Sequence, residues 1–146
     1  MYFKGEYEHS VDVKGRIFIP SKFREGLGES FVVCKWFFSP CLYGFSEGEF
    51  ENLSARLDSL PFADEDAEIL QRELYSSAVD VDVDKQGRIL LSAGLRQYAN
   101  LEKEALILGV RTHVEIWNRS TWRSRDVDSD AMRTAIRNLR AQGIKI

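Results

Sequence analysis

Residues 11–24 read VDVKGRIFIPSKFR, and residues 83–96 read VDKQGRILLSAGLR. The Asp, the Gly, the Arg and Ile that follow the Gly, and the distal Arg all recur at an offset of 72 residues. The same offset relates aromatic residues further along the chain, Phe45 to Trp117 and Phe50 to Trp122. Self-similarity over this distance indicates a tandem duplication of one small structural unit.

Each copy predicts a β-hairpin with the tip Asp-x-x-Gly. In the first copy the tip lies between an extended run, residues 6–11, and a run rich in β-branched and aromatic residues, residues 16–19. The first-position Asp can accept hydrogen bonds from backbone N–H groups of the turn, and the last-position Gly tolerates a left-handed backbone. We therefore expect four turn-forming residues, Asp12, Gly15, Asp84 and Gly87.

Basic residues accompany both tips. Arg16 and Arg88 stand where the chain re-enters a strand, and Lys14 and Lys85 lie on the turns. One interpretation is that each arginine simply pairs with its turn aspartate. The other is that the two copies pack as a pseudo-dimer, in which case the tips form one basic patch of the kind that binds phosphate backbones.

Each unit continues with a short helix and two strands. The helices are predicted at residues 20–28 and 92–99, and Arg24 and Arg96 hold equivalent places on them. These two arginines either face the surface of the hairpin tips or form salt bridges with the fold's own carboxylates. The strands are predicted from apolar runs at residues 31–34, 41–45, 105–108 and 113–117. One such unit has too small a core, whereas two interleaved units would form a closed barrel without exposed edges.

The predicted organisation is a repeat at 5–50, a helical linker at 51–77, a second repeat at 78–123 and a tail at 124–146. Ser46 and Glu49 form a capping box that opens one linker helix, Pro61 ends it, and Asp64 opens the next. The apolar stripe of this helical pair packs against the barrel or forms a subunit interface. The tail predicts a helix over residues 128–142, and its arginine face is either solvated or binds DNA or a partner.

The charge is unevenly distributed along the 146 residues, whose net charge is −3. Residues 47–84 contain 12 acidic and 2 basic side chains, and residues 118–146 contain 7 basic and 3 acidic ones. A local patch rather than the total charge decides phosphate contact. No apolar run reaches the roughly 18 residues of a membrane span, and the N-terminus lacks a signal-peptide core. With Cys34 and Cys41 expected as reduced thiols, we predict a cytoplasmic protein.

Catalytic and metal-binding motifs are not recognised in the sequence. The two histidines, His9 and His113, are not part of a Ser-His-Asp triad pattern or of a metal-binding His/Cys cluster. The sequence also shows no Gly-rich phosphate-binding loop. The series Asp80, Asp82, Asp84 is interpreted as the polar face of a strand whose alternating residues Val79, Val81 and Val83 point inward; a metal site is the alternative. We expect no enzyme, no cofactor, no metal and no small-molecule substrate.

The pattern in residues 6–24, reinforced by the second Asp-x-x-Gly-Arg motif, resembles the MraZ family of the SpoVT/AbrB class. The resemblance runs from about Phe3 to about Trp122, although Ser92-Ala93 stand where relatives usually have Pro. It implies an α+β fold, mainly β, with a swapped-hairpin AbrB-like barrel built from both repeats and a ring-shaped homo-oligomer. It also implies regulation of a promoter upstream of division and cell-wall genes, including the protein's own gene.

The leading hypothesis is therefore a sequence-specific, nucleoid-associated transcriptional regulator that binds double-stranded DNA at repeated promoter sites. The candidate DNA contacts are Lys14, Arg16, Arg24, Lys85, Arg88 and Arg96. The alternative is an oligomeric protein-interaction module without specific DNA binding, which the net acidity favours and the lysines at both tips disfavour.

Overall fold

The computed structural model describes residues 2–125 and 127–146; Met1 and the tail residue Asp126 lie outside the described part. The strands are β1 Phe3–Ser10, β2 Arg16–Phe18, β3 Ser30–Trp36, β4 Cys41–Phe45, β5 Val79–Asp82, β6 Arg88–Leu90, β7 Glu104–Arg111 and β8 His113–Asn118. The helices are α1 Ser21–Leu27, α2 Glu47–Asp58, α3 Glu65–Ser77, α4 Ala93–Tyr98, α5 Arg119–Arg123 and α6 Ser129–Ala141. The protein is thus of the α+β class, as predicted.

The two units are interleaved through one antiparallel sheet with the strand order β1-β7-β8-β4-β3-β5. Strand β1 of the first unit pairs with β7 of the second, so that Tyr7 lies opposite Ile107. Strand β5 of the second unit pairs with β3 of the first, so that Val81 lies opposite Phe31. The prediction that the copies interleave is therefore confirmed.

The arms of each predicted hairpin meet only near the turn, within the described residues. In the first copy Val11 bridges Ile17, and the Asp12 N–H donates to the carbonyl oxygen of Arg16 at 3.0 Å. Beyond this point β1 pairs with β7, and β2 pairs with β6. The prediction was right for the turn and wrong for the pairing of the arms, because each arm completes its hydrogen bonds with the other unit.

The described strands form two sheets and not one closed barrel. Strands β2 and β6 leave the large sheet and pair with each other as a two-stranded antiparallel ribbon. The large sheet consequently ends at β1 and β5. In the edge strand β5, Val81 is buried as predicted, whereas Val79, which was also predicted to point inward, is 38% exposed.

The main core contains apolar side chains of both units. Ile17 of β2 and Ile89 of β6 are 0% and 1% exposed, and they pack in the same cluster as Phe31 and Ile107 of the large sheet. Phe23 of α1 joins this cluster through edge-on contacts, including one with Tyr7 whose ring centroids are 5.1 Å apart. Burial of this apolar surface from two units is the main stabilising term of the fold.

Both short helices lie where the repeat predicts them. Helix α1 follows Pro20 and ends at Gly28, whose φ of 89° is accessible to glycine. Helix α4 begins after Ser92, whose Oγ accepts the Leu95 N–H at 3.3 Å. The serine therefore supplies the N-cap of α4.

The linking helices begin at the predicted caps. Ser46 Oγ accepts the Glu49 N–H at 3.2 Å, and Asp64 Oδ1 accepts the Ala67 N–H at 3.0 Å. Leu74 packs in a cluster on the outer face of the sheet. For the apolar stripe that contains Ile69 and Leu70 the sequence predicts either packing against the barrel or a subunit interface, and these two residues are 56% and 41% exposed. The sheet covers only one side of α3, so these two residues do not pack against it, and the interface alternative stays a prediction.

Helix α5 was not predicted, although the repeat contained its signal. Its first residue, Arg119, lies 72 positions after Glu47, the first residue of α2. Asn118 accepts the Thr121 N–H as Ser46 accepts the Glu49 N–H. Trp122 contacts Trp117 edge-on with centroids 5.1 Å apart, and the equivalent pair Phe50 and Phe45 is 5.9 Å apart. Helix α5 is therefore a shortened counterpart of α2.

Helix α6 confirms the prediction of a helical tail. It follows the N-cap Asp128, spans 13 residues and contains no buried side chain. None of the helices in the described residues is both long enough and apolar enough to cross a membrane.

Adjacent positions on β6 test the inward and outward faces of the ribbon. Ile89 is 1% exposed and Leu90 is 60% exposed. We expect Ile89→Ala to lower the free energy of unfolding by about 2–5 kcal/mol, because it removes buried methyl groups and leaves a cavity. Leu90→Ala is the control and should change it by less than about 0.5 kcal/mol. Urea denaturation of both variants measures the difference, and equal losses would contradict this orientation of the ribbon.

Candidate nucleic-acid interface

The turn of the first unit is built around the carboxylate of Asp12. Its Oδ1 accepts the backbone N–H groups of Lys14 at 3.0 Å and of Arg16 at 2.9 Å. Its Oδ2 accepts the Nε–H of Arg16 at 2.7 Å. The backbone closes the same turn through the Gly15 N–H, which donates to the Asp12 carbonyl oxygen at 3.0 Å. One side chain thus shapes the turn and orients the arginine.

The second turn repeats this arrangement. Asp84 Oδ1 accepts the N–H groups of Gln86 and Arg88, each at 2.9 Å, and Oδ2 accepts the Nε–H of Arg88 at 3.0 Å. Gly15 and Gly87 have φ angles of 85° and 84°. Because this left-handed region strains other residues, both glycines are required by the turn. These aspartates and glycines thus lie at the turns of both copies.

Hydrogen bonding lowers the pKa of both turn aspartates from the ordinary value of 3.8. The largest cause is the bond from the backbone N–H of Arg16 to Asp12 and of Arg88 to Asp84, and the guanidinium groups add to it. Both carboxylates are therefore ionised at neutral pH, and each balances the positive charge of the neighbouring arginine.

The β2–β6 ribbon places both arginines on one outward face. Arg16 lies opposite Leu90, and Phe18 lies opposite Arg88, while Ile17 and Ile89 alternate with them toward the core. The side chains of Arg16 and Arg88 are 31% and 20% exposed. Only their Nε–H groups donate hydrogen bonds within the described residues, so the terminal guanidinium nitrogens keep donors for a ligand.

Two apolar side chains complete this outward face, and the sequence analysis did not include them. Phe18 and Leu90 are 44% and 60% exposed. The guanidinium carbon of Arg88 lies 5.9 Å from the centroid of the Phe18 ring, and His9 lies beside the same ring with a centroid separation of 6.1 Å. The available signal was the alternation within each copy, because the residue after a buried Ile must face outward.

Arg24 and Arg96 link each turn to the other unit. A Cβ atom on Gly15 would lie 2.6 Å from Nε of Arg96, and a Cβ atom on Gly87 would collide with the guanidinium of Arg24. The backbones also cross, since Ile19 N–H donates to Gly87 O at 2.9 Å and Leu91 N–H donates to Gly15 O at 3.0 Å. Each turn therefore rests on the helix arginine of the opposite copy.

These contacts agree with the alternative that places Arg24 and Arg96 at the hairpin tips and not with the salt-bridge alternative, and their role as DNA contacts stays a prediction. Neither Arg24 nor Arg96 forms a salt bridge with a carboxylate among the described residues, and both side chains are half-buried. Arg96 Nε donates to the carbonyl oxygen of Leu91 at 3.1 Å, whereas Arg24 Nε is buried without a hydrogen-bond partner among the described residues. Their contacts support the turns from beneath.

Lys14 and Lys85 are exposed on the two turns. The turn aspartates balance the charges of Arg16 and Arg88, whereas no ion pair among the described residues balances these lysines, so they add positive charge next to the ribbon. The structure thus places all six candidate contacts at the two turns, with Lys14, Arg16, Lys85 and Arg88 on them and with Arg24 and Arg96 against their glycines.

Groups with catalytic potential lie elsewhere and are covered. Glu115 is 8% exposed and accepts hydrogen bonds from His113 at 3.1 Å and from Trp117 Nε1 at 2.8 Å. Burial raises the pKa of Cys34 and of Cys41 to about 12, so both thiols are protonated and poorly nucleophilic. Within residues 2–125 and 127–146, no group of three or more His, Cys, Asp or Glu side chains is arranged to hold a metal ion.

These features define a class of protein: a duplicated α+β unit whose copies exchange strands and jointly present a ribbon with two arginines. The family model described as "MraZ protein, putative antitoxin-like" matches twice, at residues 2–73 and 74–134. The chain therefore belongs to the MraZ family, and the resemblance noted in the sequence is confirmed.

Proteins similar to this chain over most of its length have the name Transcriptional regulator MraZ. The protein of Acetivibrio thermocellus is 52% identical over 128 residues, which cover 88% of this chain and 89% of that one. The protein of Pelotomaculum thermopropionicum is 51% identical over 82% of both chains. The protein of Thermoanaerobacter sp. is 44% identical over 86% of this chain and 87% of that one.

The turn glycines are tested by Gly87→Ala. We expect it to lower the free energy of unfolding by more than about 1 kcal/mol, because alanine is strained at positive φ. Gly94→Ala is the matched control, since Gly94 lies in α4 with no atom within 4 Å of an added Cβ. The control should be neutral or stabilise by about 0.5–1 kcal/mol. The strain at Gly87 would be refuted if chemical denaturation gave both variants the same stability.

Because of the two turn carboxylates, the stability of the fold should change with pH in the acid range. Because their pKa is lowered in the folded state, their contribution is present above the ordinary value of 3.8 and is lost as the pH falls through the folded-state value. We expect the double variant Asp12→Asn, Asp84→Asn to be less stable than wild type at neutral pH, with a smaller difference below 3.8. Denaturation midpoints across acid pH measure this. Asp80→Asn, at an exposed position of β5, is the control; a difference independent of pH would contradict the assignment.

Proposed function

We propose that this protein is a sequence-specific DNA-binding transcriptional regulator whose DNA-binding surface is the outward face of the β2–β6 ribbon with its two turns. The observation that carries the proposal is the pair of arginines that the turn aspartates hold on this face. The names of the relatives support the regulatory role. We propose no catalytic activity.

The geometry of a two-stranded ribbon suits the major groove of B-DNA. That groove accepts a β-ribbon, and an arginine pairs bidentately with O6 and N7 of guanine. Arg16 and Arg88 are diagonal neighbours in the ribbon, so their backbones are separated by roughly 7–8 Å. Base pairs stack at about 3.4 Å, so we propose that the two arginines contact bases about two steps apart.

The other residues of this face have complementary roles in the proposal. Lys14 and Lys85 bind the phosphates on either side of the groove, which positions the ribbon without selecting a sequence. Phe18 and Leu90 supply apolar surface for thymine methyl groups. Arg24 and Arg96 contribute to DNA binding through the shape of the turns that rest on them.

The exchange of strands supports the proposed organisation into repeats at 5–50 and 78–123, a linker at 51–77 and a tail at 124–146. We propose that the ribbon and the large sheet together constitute an AbrB-like swapped-hairpin arrangement. The resemblance extends the proposal to a ring-like homo-oligomer at the nucleoid. Several ribbons would then bind repeated sites in the promoter of the division and cell-wall genes, including the protein's own, and multivalency would supply affinity.

A protein-interaction module is the second candidate. The observation that favours it is the exposed apolar surface of α3, where Ile69 and Leu70 remain uncovered. The two functions require different surfaces, because the ribbon contains no residue of α3. Loss of DNA binding through changes in the ribbon would therefore favour the regulator.

The ribbon is tested with Arg16→Ala and Arg88→Ala on duplexes from the promoter region of the protein's own gene. Removal of either guanidinium should weaken binding by about 1–3 kcal/mol, and wild-type affinity should fall steeply with salt. Fluorescence anisotropy at two salt concentrations, with a scrambled duplex for comparison, gives both quantities. Arg56→Ala, an exposed arginine on α2, is the matched control and should bind like wild type. If the double variant Arg16→Ala, Arg88→Ala bound DNA as tightly as wild type, the proposed interface would be refuted.

A further inference from the structure

The short helix α5 holds two arginines against two glutamates of the large sheet. Arg119 Nη1 lies 3.5 Å from Glu8 Oε2 on β1 and 4.0 Å from Glu104 Oε2 on β7. Arg123 Nη2 pairs with the other carboxylate oxygen of Glu8. All four side chains are partly exposed. Because exposed ion pairs contribute little to stability, the place of these pairs on the surface is their more informative property.

The two glutamates border the candidate DNA-binding face. Glu8 and Glu104 line the same concavity as Asp12 and the ribbon arginines Arg16 and Arg88. The lining of this concavity thus contains three carboxylates against two guanidinium groups. Charges that border such a face act on a phosphate within about a Debye length, roughly 8–10 Å at physiological salt. Without the arginines of α5, the two glutamates would repel DNA at the edge of the ribbon.

The internal repeat relates this side of the ribbon to a side of opposite charge. At the offset of 72 residues, the two arginine positions of α5 correspond to Glu47 and Glu51 of α2, and the position of Glu8 corresponds to Asp80 of β5. Glu47, Glu51 and Asp80 line one concavity, and none of them forms an ion pair within the described part of the chain. Equivalent backbone therefore carries compensated charge on one side and only negative charge on the other.

We name these two surfaces by their helices. The α5 flank consists of Glu8, Glu104, Arg119 and Arg123, and the α2 flank consists of Glu47, Glu51 and Asp80. Strand β1 of the α5 flank leads into the first turn, and strand β5 of the α2 flank leads into the second. Both flanks thus lie beside the strands from which the ribbon departs.

We propose that DNA bound to the ribbon extends over the α5 flank and not over the α2 flank, because Arg119 and Arg123 neutralise the glutamates beside them. The inference rests on the proposed function, since it assigns the side of the ribbon on which the neighbouring phosphates lie. In this arrangement the α5 arginines act on DNA by cancelling the charge of Glu8 and Glu104, while the ribbon arginines contact the bases. The duplicated fold consequently binds DNA asymmetrically.

Removal and restoration of the charge balance tests the neutralisation. The double variant Arg119→Gln, Arg123→Gln leaves both glutamates uncompensated and should weaken DNA binding about 3- to 10-fold at roughly 0.1 M salt. The quadruple variant, which adds Glu8→Gln and Glu104→Gln, restores the balance and should bind within about twofold of wild type. If the quadruple variant bound as weakly as the double variant, the arginines would contact phosphates themselves and the proposal would be overturned. A double variant with wild-type affinity would overturn it as well.

A matched pair of single changes tests the choice of flank. Glu8→Gln and Asp80→Asn each remove one carboxylate at equivalent positions of the two units. Glu8→Gln should tighten DNA binding about two- to threefold, and Asp80→Asn should change it less than about 1.5-fold. Equal tightening by both changes, or tightening by Asp80→Asn alone, would overturn the asymmetry. This comparison removes no arginine, so it decides the proposal even if the double variant of α5 does not fold.

All affinities are measured by fluorescence anisotropy on the promoter duplex, with Arg16→Ala in the same series. Wild-type affinity of Arg16→Ala would refute the proposed DNA-binding face itself, whereas weak binding by Arg16→Ala without rescue in the quadruple variant would refute only the role of α5. Urea denaturation checks that each variant is folded. Helix α5 keeps a further link to the sheet in every variant, because Trp122 Nε1 donates to Glu6 Oε1 at 2.9 Å.

Discussion

The arrangement of this protein depends on a reciprocal contact between its two copies. The turn of each unit rests on an arginine from the short helix of the other, Gly15 on Arg96 and Gly87 on Arg24. Backbone hydrogen bonds cross at the same points, from Leu91 to Gly15 and from Ile19 to Gly87. Neither turn is complete without the other unit, so the ribbon, its outward face and the core beneath it form together.

This contact explains why some positions of the turn are identical in the two copies and others differ. Asp12 and Asp84 each satisfy two backbone N–H groups and one guanidinium, a combination for which a short carboxylate is needed. The glycine of each turn is required both by its positive φ and by the arginine beneath it. The two positions between them, by contrast, face solvent and differ between the copies.

The distribution of charge reconciles net acidity with the proposed DNA-binding surface. The acidic residues are concentrated in α2 and α3 and around β5, whereas the ribbon presents two arginines and the turns present two lysines. Because the turn aspartates neutralise part of the arginine charge, the face is organised for directed hydrogen bonds rather than for a strong field. In the proposed function the two arginines contact bases, and the two lysines contact phosphates.

The sequence by itself determined the duplication, the Asp-x-x-Gly turns and nearly all of the helices and strands, because these depend on local patterns that the 72-residue offset displays twice. It also predicted Arg16 and Arg88 as DNA contacts, which stays a prediction. Tertiary structure alone decided the partners of the strands, since a short strand such as β2 pairs equally well by local rules with its own hairpin or with β6. It likewise decided that Arg24 supports a turn and that Leu70 stays exposed, because both depend on which surfaces of two distant segments meet.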